Sequence, residues 1–542
     1  MSHRDIDRRT FLQYGGTASA VAATVGLAGC GGNGNGNGNG TGNGNGAAEG
    51  LDEITITLSQ FPDTIDPLDH ITGDYFDLLD HIYEPLFDFE PGEGIFPRVV
   101  EETEIMGGGV TELRLRDDVV FHNGDQLTAE DVAWTINRTV DPTIGVPSPI
   151  GTFGLGSIEG AEAADDTTVE VMYSDAPGLA EFEFGNYARA MNREWSIENH
   201  DADQEGEAVS GADPENFNGT GPYEVVEFTS GEEVVLERFD DYWGEEPPFE
   251  RVVFNADGES SGRVNSLETG ESDLTINILP EDVATVQNAE GVEVRQVTSF
   301  RNVFLPMKNT VAPFDSQAFR QAMNYAVDNE GIVDTVLSGF GEARGQPVAP
   351  GINGFNPDIE PYEQDIGMAE SLVEESGYGG VEIELVAPQG RYLNDAAVGE
   401  TAADQIDQLD NVNCDVSIVD FGVVSDANQA GVDPDTFDIP FYMIGWGTIT
   451  GDTDYGVQGF FKIPDNPNRT FDDEELSDAI VESQGIEDPD ERREQLEEVN
   501  RIAHEKAPFV FLHTQESIYG VNEAIRWEPR EDETVYIWGM DT

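Results

Sequence analysis

Residues 121–142 read FHNGDQLTAEDVAWTINRTVDP. Asn123-Gly124 marks a tight turn, because both residues tolerate the left-handed backbone that such turns need. Thr128 followed three positions later by Asp131 is the signature of a capping box, in which each side chain bonds the other's backbone N–H. Val132, Trp134 and Ile136 then supply an apolar helix face. The stretch predicts a strand from about 118, a turn, and a capped helix.

The same mixture of elements extends outward. EITITL (53–58) alternates as a strand does, and 223–238 and 250–255 give strands around DDYWGEEPP. Helical patterns follow at 315–328, at 366–376 ending on Gly377, at 396–410, and at 487–505 ending before Pro508. In the last of these, Leu496, Val499, Ile502 and Ala503 form one stripe. VEIELVA (381–387) and DVSIVDF (415–421) are strands between helices. The C-terminal half is therefore α/β, and no fixed-period repeat is present.

A chain of 542 residues with 38% hydrophobic content supports two or three folded domains. It carries 109 Asp+Glu against 26 Lys+Arg, a net charge of −83. Its lysines are Lys308, Lys462 and Lys506. The acids are spread through aromatic-rich, periodic sequence, which argues against a disordered acidic tail. They read as a halophile's surface, since molar salt shortens the screening length to about 3 Å. With no basic stripe, nucleic-acid binding is excluded. Cys30 and Cys414 leave a single thiol in the folded part and no disulfide there, Cys414 being a small residue at a strand entrance. The seven histidines lack metal-ligand spacing, so no metal or other cofactor is expected.

DRRTFLQ (7–13), with Arg8 and Arg9, resembles a twin-arginine export signal. Leu27-Ala28-Gly29-Cys30 resembles a lipoprotein cleavage box, in which Cys30 carries lipid. A Gly/Asn ribbon follows that no core can use, so residues 30–50 are a tether after a 1–29 signal. About 16 such residues span roughly 20–25 Å. The expected location is the outer face of the membrane, held by lipid alone and reached by export in the folded state.

From about residue 52 to 530 the chain resembles the peptide/nickel-type (family 5) extracellular solute-binding proteins of ABC importers. The resemblance rests on FHNGDQLTAEDVAWTINRTVDP (121–142), GTGPYEVVEF (219–228), ERFDDYWGEEP (237–247), LETGESDL (267–274) and residues 313–351, in that order. It implies an α/β, two-lobed, periplasmic-binding-protein-like (type II) fold with an inserted subdomain. The first lobe would comprise 51–88, 215–297 and 510–542, the insertion 89–214, and the second lobe 298–509. It implies a monomeric receptor and not an enzyme, closing on a di- or oligopeptide and delivering it to a permease and its ATPase. Nickel chelates, opines and oligosaccharides are alternative solutes for the fold, and a surface sensor an alternative role.

The same resemblance suggests the site. In YMIGWGTITGDTDYGVQGFF (442–461), Trp446 would wall the cleft. One family pattern puts an acid three residues after this Trp, where the chain has Ile449; a Thr-Gly-Asp-x-Asp variant instead makes Asp452 the ammonium anchor, with Asp454 second. In APQGRYLNDAAVGE (387–400), Arg391 would pair with a ligand carboxylate and Tyr392 would stack on the ligand. Each acid also reads as a solvated surface group, and Arg391 as the partner of an internal carboxylate. Phe121, His122, Asp131, Tyr223 and Trp243 read as scaffold. Gly258-Glu259-Ser260-Ser261-Gly262, with His504 and His513 downstream, leaves a secreted serine hydrolase as a remote alternative. The simpler reading is a loop before a helix.

Overall fold

Thr128 caps the Ala129–Val140 helix, and its capping box with Asp131 is complete: Thr128 N donates to Asp131 Oδ2 at 2.9 Å and Asp131 N to Thr128 Oγ1 at 3.4 Å. The expected strand before it is reduced to a single bridge between Val120 and Gln126. The Asn123-Gly124 turn doubles the chain back at once, Phe121 N donating to Asp125 O, so no ladder can extend. This computed structural model describes residues 51–540, except 62–64, 69–76, 93, 142, 146–157, 174–187, 212, 449, 462–468 and 487. Arg8, Arg9, Cys30 and the tether lie outside the described residues.

Among the described residues the principal sheet has nine strands. Its order is Ile444–Gly447, Val292–Pro306, Phe509–Asn522, Leu274–Thr275, Glu53–Leu58, Arg251–Ala256, Glu233–Arg238 and Tyr223–Thr229, with Gly341–Ala343 paired to the 509–522 strand. Glu53–Leu58 runs parallel to both its neighbours, and the remaining pairs are antiparallel. Ile54, Ile56 and Leu58 are buried with Val252, Phe254 and Tyr223 in one core, which the C-terminal Trp527, Val535 and Ile537 complete.

A second core is built on a parallel pair, Val381–Pro388 and Val412–Val419, joined by the Asp395–Asp407 helix. Such a crossover is what a parallel pair requires. Ile383, Leu385, Val398, Ala402 and Ile406 bury its faces. Cys414 is buried here as a strand residue, and burial pushes its thiol up to about 12. The helices Ile366–Ser376, stopped by left-handed Gly377, and Pro489–Lys506 lie close to the ranges expected from sequence.

A third core belongs to the capped helix. Val132 and Ile136 pack on a four-stranded sheet ordered Val100–Ile105, Val110–Leu115, Thr168–Tyr173, Ile158–Ala163. Two long strands, 292–306 and 509–522, run antiparallel between the first two cores: Tyr519 and Val521 lie in the first, Val510 and Leu512 in the second. Their register shifts between Thr298 and Asn302. A second shift follows between Val303 and Phe304, and a bulge bends the strand that carries it.

Candidate ligand cleft

Every parallel strand described above ends at one place. Beyond the 53–58 strand stand Ser59 and Gln60; beyond 251–256, Gly258 and Glu259 with the helical Ser260 and Ser261; beyond 274–275, Asn277 and Leu279. From the second core, Gln389–Tyr392 follow the 381–388 strand, and Asp420 and Phe421 follow the 412–419 strand. These residues line a cleft of about 790 Å³. Carboxyl ends of parallel strands leave a crevice because the chain turns away there on both sides. Three helices also begin in the lining: Ser260–Thr269, Asp395–Asp407 and Phe421–Gln429. Asn394 Nδ2 reaches Glu281 Oε2 at 3.4 Å, so the two walls touch.

Arg391 is 7% exposed and lines both this cleft and a smaller pocket on its floor. Its guanidinium carbon lies 5.4 Å from the Tyr392 ring centre and 5.7 Å from that of Phe421. Tyr392 is buried, and its hydroxyl donates to Gly445 O at 3.2 Å. The floor pocket holds about 30 Å³, enough for a water or a small polar terminus. Asp77, Asn277, Arg301, Gln515, Ser517, Tyr519 and Glu533 share its wall with Arg391 and Ile276. Glu533 receives Arg301 on one oxygen and Gln515 Nε2, at 3.0 Å, with the Ser517 hydroxyl on the other. Burial pushes the Glu533 carboxyl up, but Arg301, Ser517 and Arg391 outweigh it and hold the group below its ordinary value.

The other expected site residues lie elsewhere. Asp452 is buried, with Arg492 Nη2 2.9 Å from Oδ1, Arg492 Nη1 and Asn353 Nδ2 on Oδ2, and the Asp454 N–H on Oδ1. To anchor a ligand it would have to surrender these donors. Asp454 accepts Gln484 Nε2 at 2.9 and 3.0 Å. Trp446 packs edge-on against Phe460 inside a core cluster. None of the three is among the described residues that line this cleft.

The scaffold residues behave as structure. Tyr223 is buried and donates to Phe249 O, and Trp243 sits between the guanidinia of Arg98 and Arg116. His122 accepts the Gly219 N–H at Nδ1, 3.3 Å away, while Nε2 lies 3.1 Å from Gly221 O. The hydrolase alternative fails on geometry. Ser260 does line the cleft, but its hydroxyl donates to the Asp282 carboxylate at 2.7 Å. His504 Nδ1 lies 2.8 Å from Gly345 O and the ring stacks on Tyr362; His513 is buried inside the 509–522 strand. A nucleophile needs a base within bonding reach, and Ser260 has a carboxylate there instead of a histidine.

Sequence reading missed Asn277, Arg301, Asp395, Gln515 and Glu533. Asp395 carried a usable signal, an acid opening a helix four residues after Arg391. Glu533 carried none, because its partners lie far away in sequence.

A family model described as bacterial extracellular solute-binding proteins, family 5 Middle, matches residues 95–468. Heme-binding protein A of Haemophilus influenzae is 23% identical over 474 residues, covering 79% of this chain and 81% of its own. The dipeptide-binding protein of Escherichia coli is 23% identical over 464 residues, covering 80% and 83%. Among solved structures, an ABC transporter-associated periplasmic binding protein of Helicobacter pylori, in complex with peptide STSA, superposes with a TM-score of 0.78 at 20% identity, covering 90% of this chain and 97% of its own. A Staphylococcus aureus protein in complex with Ni(L-His)2 gives 0.74 at 18% identity, covering 90% and 99%. The chain belongs to the family 5 extracellular solute-binding proteins, and its fold is the two-lobed α/β architecture of these neighbours. The relatives are binding proteins and not enzymes.

Proposed function

We propose that this family 5 solute-binding protein is the extracellular receptor of an ABC importer and captures di- or oligopeptides by closing its lobes on them. The observation that carries the reading is the cleft itself, lined by the carboxyl ends of parallel strands from two separate cores. A solute that touches both walls stabilises the closed form over the open one, and that difference drives closure. The bulged 292–306 and 509–522 pair is the hinge. A volume of about 790 Å³ suits a short peptide.

Arg391, flanked by two aromatic faces, takes the ligand carboxylate, and the Tyr392 side bounds the ligand. On this reading residues 51–88, 215–297 and 510–542 form the first lobe, 89–214 its insertion and 298–509 the second. Arg8 and Arg9 direct twin-arginine export, Cys30 carries lipid, and the closed monomer docks on the permease at the membrane's outer face. The acid-rich composition keeps that body soluble in molar salt.

The test is mass spectrometry of whatever is released by denaturation after purification in molar KCl. A nested set of short peptides supports the reading. Sugars or a metal chelate retain the importer and replace the solute class. An empty cleft favours a surface sensor.

A further inference from the structure

The Gly390–Tyr392 loop that carries Arg391 has no regular secondary structure of its own. One side chain gathers its backbone N–H groups. The Asp395 carboxylate is 4% exposed and accepts four backbone N–H groups: Gly390 at 3.0 Å and Ala396 at 2.9 Å on Oδ1, Arg391 at 2.8 Å and Tyr392 at 3.0 Å on Oδ2. Left-handed Gly390 and Asn394, with φ of +81° and +50°, curl the chain around it. A convergent set of backbone donors of this kind is an anion nest, and here the chain's own carboxylate occupies it.

We propose that Asp395 is the positioning residue of the cleft: it holds the loop so that the Arg391 guanidinium lies between Tyr392 and Phe421 and faces the floor pocket. This rests on the reading of Arg391 as the carboxylate receptor. Asp395 also borders the cleft, but both its oxygens are taken by backbone donors, so its action on the solute runs through Arg391. The far side of the loop is tied separately, Leu393 N donating to Gln515 Oε1 at 3.4 Å and Asn394 Nδ2 to Val336 O at 3.0 Å. Gln515 in turn bonds Glu533, which holds Arg301. Loss of Asp395 therefore removes the acceptor shared by the Gly390, Arg391 and Tyr392 N–H groups, while Gln515, Glu533 and Arg301 keep their own bonds. An amide at this place can accept at one oxygen only, and its NH2 would face two N–H donors.

The experiment compares wild type, Asp395→Asn, Asp395→Glu and Arg391→Ala in molar KCl. The probe is a panel of dipeptides and tetrapeptides, each as the free acid and as the C-terminal amide, measured by calorimetry. Wild type is expected to prefer the acid by about tenfold or more, the scale of one charge-assisted bond. Asp395→Asn is expected to bring the acid-to-amide ratio close to that of Arg391→Ala. Asp395→Glu, which keeps the charge but is one methylene too long, should fall between them and serves if the Asn variant does not fold. A merely structural role would weaken acid and amide alike and leave the ratio intact, and that result overturns the proposal.

The crystal structure of the same variant decides the matter without a ligand. Arg391 displaced from between the Tyr392 and Phe421 rings supports positioning by Asp395, and Arg391 unmoved refutes it. If wild type shows no preference for the acid, the carboxylate reading of Arg391 fails on its own, and the crystallographic outcome still judges Asp395.

Discussion

Arg492 and Asp452 form a buried ion pair across 40 residues of chain, Nη2 standing 2.9 Å from Oδ1. The pair fastens the Pro489–Lys506 helix to the start of the Thr453–Phe461 helix, and Asn353 joins it from a third segment. Asp452 is thereby an internal brace for the segment that begins at Trp446.

Breaking this brace should cost stability before it costs binding. Arg492→Ala leaves a buried carboxylate without its cation, a change worth about 3–5 kcal/mol. Asp452→Ala leaves the guanidinium in the same position. Denaturant unfolding in molar KCl should show a fall of that size in both single variants. The double variant should lose less than their sum, because neither charge is then stranded. An unchanged midpoint with weakened solute binding would return Asp452 to the role of anchor.

Gly451, beside this brace, adopts φ of +67°, and a Cβ there would stand 2.6 Å from Cε2 of Phe89. Phe89 reaches it from the Phe87–Glu90 strand and packs with Phe300, Val348 and Ile352. Gly451→Ala should therefore destabilise by about 1–3 kcal/mol through overpacking, with backbone strain in addition. Combining it with Phe89→Leu should recover the steric share in a thermal melt and leave the strain.

Three buried histidines set an acid limit. Burial holds His81 down at about 3, and His122 and His513 at about 4, against 6.5 for the free side chain. His81 and His122 are helped less by their backbone carbonyls than they are penalised by burial. Each is neutral when folded and charges on unfolding, so its contribution is complete above pH 6.5 and is lost as pH falls toward the folded value. Each adds a slope of up to about 1.4 kcal/mol per pH unit in that window. Buried carboxyls raised by desolvation, Asp80 and Asp131 among them, work in the opposite sense over this window, so the histidine share is read by difference: in urea unfolding between pH 6.5 and 4.5, His513→Leu should lose stability less steeply than wild type by about one histidine's share. His513 is the suitable choice because its Nδ1 has no hydrogen-bond partner among the described residues.

Salt should matter in the opposite sense to most proteins. With a net charge of −83, self-repulsion is strong wherever screening is weak. Circular dichroism should report loss of structure on dialysis from molar KCl to about 0.1 M, where the screening length grows to about 10 Å. An unchanged spectrum in low-salt, Mg²⁺-free buffer would refute a halophile's surface.

Local chemistry was legible in the chain as written. The Thr128/Asp131 box, the Gly377 stop and the alternation of 53–58 and 381–387 each act within a few residues, so they are present before any tertiary contact forms. The order of five motifs pointed to the family for the same reason: each is a short stretch of sequence. The acidic composition and the Gly-Arg-Tyr loop were equally readable. The tertiary structure alone decided which charges meet. Asp452 found Arg492, Glu533 found Arg301 across 232 residues, and Asn277 came to face Arg391. In a chain with 109 acids and 26 bases, sequence offers each guanidinium many partners, and only packing, by burying some carboxylates beside a cation and leaving others in salt water, selects among them.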